Sequence, residues 1–129
     1  MRSTDEAAFL ALVTAFPDGG LDLVCERIGE LFTDTTVWVQ PGLPTVVGAD
    51  AAIQLVRTWG AGFTGYQLEI RNVASTDRAV LIERRETFRH PDGSVNFVLP
   101  VVGVAEFRDG RITEWREFYD TALIPGLNG

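Results

Sequence analysis

From Tyr66 to Tyr119 the chain is a succession of long strand-like runs separated by turn chemistry, and that order leaves few folds open. Tyr66, Leu68 and Ile70 alternate with Gln67, Glu69 and Arg71, the period of two shown by a half-buried strand. Ala79–Arg89 reads as a second strand. His90, Pro91, Asp92 and Gly93 form a turn by composition. Residues 94–107 make a long apolar strand. Pro100 within it predicts an edge position or a bulge, because proline donates nothing to a ladder. Asp109-Gly110 is a hairpin signal, and residues 111–121 form the last strand.

Helical signals precede these strands. Ser3 and Glu6 fit a capping box ahead of an apolar run, which predicts a helix through Phe9, Leu10, Leu12 and Val13 that stops near Pro17, Asp18, Gly19 and Gly20. Leu21, Val24, Cys25, Ile28, Leu31 and Phe32 have the spacing of a second helix. Cys25 on that face reads as a small core hydrophobe rather than a nucleophile. Residues 35–40 are β-branched and aromatic and read as a strand, ended by Pro41, Gly42, Leu43 and Pro44. Gly48, Ala49 and Asp50 open a third helix carrying Ile53, Leu55, Val56 and Trp59, closed by Gly60 and Gly62. Helices first, then a run of antiparallel strands, with one strand and one helix between, favour an α+β fold with helices on one face of a curved sheet.

The 129 residues suit one domain, 1–129, and 46% hydrophobic residues supply its core. The formal net charge of −7 argues against nucleic acid or an anionic membrane as partner, since neither would be attracted. One cysteine excludes an intrachain disulfide, and one histidine, His90 in a turn, argues against a zinc site. No positively charged segment leads into an apolar run at the N-terminus, and no apolar stretch is long enough to span a bilayer. A cytoplasmic location is the expectation.

Strand parity locates the chemistry, because alternate side chains share a face. In Ala79–Arg89 the even set is Val80, Ile82, Arg84, Glu86 and Phe88, an apolar face interrupted by two charges. In the last strand Trp115 and Tyr119 flank Glu117 on the odd face, although Ile112 and Phe118 leave the even face apolar too. Buried charges are costly unless paired. An arginine between two carboxylates could satisfy both, keeping one ionised while burial and like charge push the other upward. That split suits an acid–base pair. An ion-pair network at the sheet rim, with long side chains reaching water, explains the same pattern.

The residues also resemble those of a known family. Glu83-Arg84-Arg85-Glu86 resembles the E-R-x-D stretch of limonene-1,2-epoxide hydrolases. Leu99-Pro100-Val101-Val102-Gly103-Val104, and Gly110-Arg111-Ile112-Thr113-Glu114-Trp115-Arg116-Glu117-Phe118-Tyr119, resemble their L-x-x-x-G-V and G-[KR]-I-T-x-W-R-D-Y-F. Trp38-Val39-Gln40-Pro41-Gly42-Leu43-Pro44, followed by Gly48-Ala49-Asp50-Ala51, resembles their Y-x-N-x-P-L-P and G-R-D-A. The resemblance runs from about Thr35 to Tyr119. It implies a cone-shaped, curved mixed sheet with N-terminal helices on its concave face, the scaffold shared with ketosteroid isomerase and nuclear transport factor. It implies Glu117 as the base that activates water, Glu86 as the acid that protonates the epoxide oxygen, and Arg84 as the bridge. Trp38 and Gln40 fall at the water-holding positions. Here glutamates replace both aspartates of the family pattern, Trp38 its tyrosine and Gln40 its asparagine. Of the two carboxyls, Glu86 is the one expected to keep its proton near neutral pH.

Trp59, Phe63, Leu68, Phe88, Leu99, Val101, Trp115 and Tyr119 are the expected pocket lining, although core packing accounts for each singly. Together they imply an apolar small-molecule substrate, with no cofactor and no metal. Epoxide hydrolysis, epoxide-opening cyclisation by a substrate hydroxyl, isomerase-like proton shuttling and plain ligand binding all fit such a pocket. The arginine between two acids favours hydrolysis over isomerisation, whose single base needs no bridge. The resemblance also implies a homodimer through the exposed sheet.

Overall fold

The computed structural model describes residues 4–60 and 65–126. Two helices, α1 (Thr4–Val13) and α2 (Ala15–Leu31), lead into β1 (Phe32–Val39), the short β2 (Val46–Val47) and α3 (Ala49–Gly60). Then come β3 (Gly65–Ser75), β4 (Ala79–Arg89), β5 (Val95–Arg108) and β6 (Arg111–Phe118). The strands form one curved, unclosed sheet in the order β2-β1-β6-β5-β4-β3. Neighbours are antiparallel except β1 and β6, which run parallel, so the sheet is mixed. The helices cover one face. Phe9 and Leu12 of α1, and Ile28 and Leu31 of α2, pack with Ile82, Ala105, Ile112 and Trp115 of the sheet. The chain leaves β1 at one side of the sheet, passes through α3 and re-enters at the far edge as β3.

Several boundaries depart from the sequence reading, among them the end of the second helix, which gives up Phe32 to β1. The first helix does not run to Pro17. It ends at Val13, and α2 starts at Ala15 with Pro17 inside its first turn, where a missing N–H costs nothing. A second break falls at Gly20, one of the four residues of the expected stop, whose φ of 73° and ψ of −164° are open to glycine. The last strand ends at Phe118, three residues early, because Asp120 caps a 3-10 turn over Thr121–Leu123 by accepting from the Ala122 N–H at 2.9 Å. Ser3 of the expected capping box and Gly62 of the helix stop lie outside the described residues.

Pro100 needs no bulge. It pairs with Arg85 of β4, while β6 meets β5 only from Val102 onward, so the strand has a free edge at that point. The apolar residues on both faces of β6 also have a local cause. Glu106 opposes Glu114 while Phe107 opposes Ile112, which leaves Thr113 as an extra residue on β6. Parity flips there, so Ile112 and Trp115 are both buried and Phe118 is exposed.

Candidate active site

β4 and β6 are separated by β5, yet their charged side chains meet on the inner face. Arg84 projects from β4 with its guanidinium spread over two carboxylates. Its Nη1 and Nη2 donate to the Oε2 and Oε1 of Glu117 at 3.1 and 2.8 Å, and its Nε donates to the Oε2 of Glu86 at 3.0 Å. The side chains of Arg84, Glu117 and Glu86 are only 7%, 4% and 14% exposed. The strand between them permits this. Gly103 of β5 lies opposite both Ile82 and Glu117, and a Cβ on it would stand 2.8 Å from the Glu117 Oε2 and 3.2 Å from the Arg84 Nη1.

The electrostatics follow from burial. Desolvation pushes the Glu117 carboxyl above the usual carboxylate range, and the charge and hydrogen bonds of Arg84 only partly oppose it. The indole N–H of Trp115 pulls weakly in the same direction as Arg84 without completing a hydrogen bond. Burial thus raises the Glu117 carboxyl, the partner of the one that the sequence reading expected to keep its proton. Burial alone would weaken the Arg84 cation, but the two glutamates outweigh it and hold the guanidinium charged. Burial and the Glu117 and Glu86 charges push the Tyr119 hydroxyl up to about 12.

These groups sit at one wall of a cavity of about 230 Å³ that residues of all three helices also line. Of the expected lining, Trp59, Phe88, Leu99, Val101, Trp115 and Tyr119 reach it. Leu68 does not. It shares the inner face but is taken up by the core packed under the helices, as are Ile70 and Val73. Phe63 lies outside the described residues. Trp38 and Gln40 both line the cavity. Trp38 stacks on Trp115 with centroids 4.6 Å apart and planes 5° from parallel, and neither buried indole N–H has a partner among the described residues. Gln40 accepts a long hydrogen bond of 3.4 Å from the Tyr119 hydroxyl.

One polar neighbour escaped the sequence reading. The Tyr66 hydroxyl donates to the Oε2 of Glu86 at 2.7 Å, and desolvation followed by the Glu86 charge keeps that hydroxyl protonated far above neutral pH. Tyr66 opposes Phe88, and Leu68 opposes Glu86, so strand pairing carried the signal. An isolated strand does not reveal which residue its neighbour will bring alongside. Phe97 was missed in the same way. It stacks on Phe88 across β4 and β5 at 4.4 Å.

Comparison with known proteins identifies the family. The model of the limonene-1,2-epoxide hydrolase catalytic domain matches residues 6–125. Epoxide hydrolase EphG of Mycobacterium tuberculosis is 30% identical over 122 residues, covering 91% of this chain and 77% of that protein. A solved LEH-like epoxide hydrolase of M. tuberculosis superposes with a TM-score of 0.71 at 26% identity, over 94% of this chain and 86% of the other. An NTF2-like protein of Burkholderia pseudomallei K96243 reaches 0.78 at 20% identity, over 96% and 99% of the two chains, a likeness of fold. A match that runs through nearly the whole chain, joined by a relative named for epoxide hydrolysis, makes this protein a member of the limonene-1,2-epoxide hydrolase family.

Proposed function

We propose that the protein opens an epoxide on a small apolar molecule in one acid–base step, with water as the nucleophile. The observation that carries this reading is Arg84 forked between Glu86 and Glu117 at the wall of an otherwise apolar cavity. Glu117 takes a proton from water as the water oxygen attacks an epoxide carbon. The carbon–oxygen bond breaks, and Glu86 delivers its proton to the departing oxygen, leaving a vicinal diol. The proton then returns from Glu117 to Glu86, and the pair holds one proton between them at both ends of the cycle.

The tryptophan at position 38 is compatible with the water. A water attacking carbon has two protons to give, to Glu117 and to the Gln40 amide oxygen. Its spare lone pair needs a donor, and an indole N–H is one. Trp38 and Trp115 both line the cavity, and their indole N–H groups, buried from solvent, have no partner among the described residues.

The test offers an apolar cyclic epoxide and an epoxy-alcohol in isotopically labelled water. Labelled diol is the expected product, whereas an unlabelled cyclic ether would mean that a substrate hydroxyl replaces water. Glu117→Gln and Glu86→Gln should each lower turnover about a hundredfold or more while ligand binding survives. Apolar ligands that bind without turnover, equally in wild type and variants, would make the pocket a binding module. The homodimer is also proposed, through Val102 and Phe118, cross-strand partners that are 36% and 55% exposed on the outer face. Sedimentation of wild type against Phe118→Glu measures it, and a monomeric wild type would remove it.

A further inference from the structure

Tyr66 belongs to neither the ion pair nor the water site, yet its hydroxyl makes a 2.7 Å contact with the acid. Its ring is fixed edge-on between Phe16 of α2 and Phe88 of β4, with centroids 5.1 and 5.2 Å away. The hydroxyl and the Arg84 Nε converge on one oxygen of Glu86, Oε2, the first from the adjacent strand β3 and the second from β4 itself. The other oxygen, Oε1, has no partner among the described residues, and Glu86 lines the cavity. A carboxylic acid has one carbonyl oxygen, which only accepts, and one hydroxyl oxygen, which donates. An oxygen that already receives two N–H or O–H donors cannot also carry the proton without a clash of hydrogens.

We propose that Tyr66 is the positioning residue of the acid: with Arg84 it occupies Oε2 of Glu86, so that the transferable proton sits on Oε1, towards the substrate. This rests on the epoxide-opening reading for its catalytic consequence. The Tyr66 proton itself is turned into Oε2 and is not the one delivered. As the proton leaves Oε1, negative charge develops on Glu86, and the Tyr66 hydroxyl strengthens its bond to meet it. Tyr66 thus does for the acid what Arg84 does for the base. The other ionisable groups acting on this corner are Arg84 of β4, Glu117 of β6 and Tyr119 just beyond it.

Four proteins test this: wild type, Glu86→Gln as the reference for the acid, and two variants at position 66, Tyr66→Phe and a chain with 3-fluorotyrosine placed only there. Phenylalanine keeps the ring contacts and removes the hydroxyl. The fluorinated ring keeps the fold and makes the hydroxyl a stronger donor. The alkaline limb of the kcat profile, where the acid loses its proton, should move up by about one pH unit in Tyr66→Phe and down in the fluorinated protein. At neutral pH kcat of Tyr66→Phe should fall about tenfold with KM within about twofold, where simple loss of packing would raise KM or lower stability without moving the limb. The midpoint of the Glu86 carboxyl, read by carbon NMR and assigned by its loss in Glu86→Gln, should shift in the same two directions. A midpoint unchanged in both variants overturns the proposal, whether or not any epoxide is turned over. Loss of turnover in Glu86→Gln with an unmoved limb in Tyr66→Phe would overturn Tyr66 alone. Full turnover in Glu86→Gln would instead sink the epoxide-opening reading, leaving the carboxyl midpoint to decide Tyr66.

Discussion

Adjacent residues of β6 make the same kind of ion pair on opposite faces of the sheet. Outward, Arg116 meets Glu106 and Glu114, with side chains 30%, 35% and 39% exposed. Inward, Glu117 holds the forked end of Arg84 with side chains 4% and 7% exposed. Water screens the outer set and can take over either partner, so its net worth is small. The inner set is buried. Each charge there depends on the other, and a carboxyl can be pushed well above its usual range. Burial, rather than pairing as such, turns an arginine–glutamate contact into a proton-handling site.

Breaking the inner pair should have the largest effect. Arg84→Met strands two carboxylates beside the cavity and should cost about 3–5 kcal/mol in urea unfolding. Adding Glu117→Leu should recover much of that loss, because an apolar pair of similar volume avoids the desolvation cost. If Arg84→Met is as mild as the outer variant below, the contrast between the faces is wrong.

Gly103→Ala comes next. Its methyl would stand 2.8 Å from the Glu117 Oε2 and 3.3 Å from the Phe9 ring, so the ion pair or the helix must shift. The expected loss is about 1–3 kcal/mol of stability, with turnover falling further than KM changes. A variant with unchanged turnover and melting temperature would show that the pair has slack.

A shallower effect is expected from pH. Glu117 binds its proton more tightly folded than unfolded, so stability should be greatest at acid pH in this respect. It should fall as pH rises from the ordinary carboxylate range through the folded Glu117 value. Glu117→Gln should flatten that part of the stability profile. A profile of the same slope in wild type and variant would assign the dependence elsewhere.

The smallest effect belongs to the outer face. Arg116→Ala should cost less than about 1 kcal/mol, and added salt should shrink the difference further. A loss as large as that of Arg84→Met would mean that the outer network is shielded in solution, as a partner seated on that face would make it.

Local chemistry in the chain was enough for much of this. Alternation along Ala79–Arg89 placed Arg84 and Glu86 on the buried face before any pairing was known, because a strand turns every second side chain the same way. Asp109-Gly110 announced its hairpin, and Asp109 and Gly110 do adopt the positive φ of 52° and 79° that such a turn demands. The family motif tied Glu117 to that pair across sequence. Tertiary structure decided what depends on register between strands. The extra residue Thr113 set which face of β6 each side chain occupies, and pairing of β3 with β4 brought Tyr66 onto Glu86. Leu68 went to the core while Tyr66 took the place beside the cavity, although both have the same parity. A strand's own sequence specifies which way each side chain points. Which neighbour waits there, and whether water reaches it, is set by chain segments dozens of residues away.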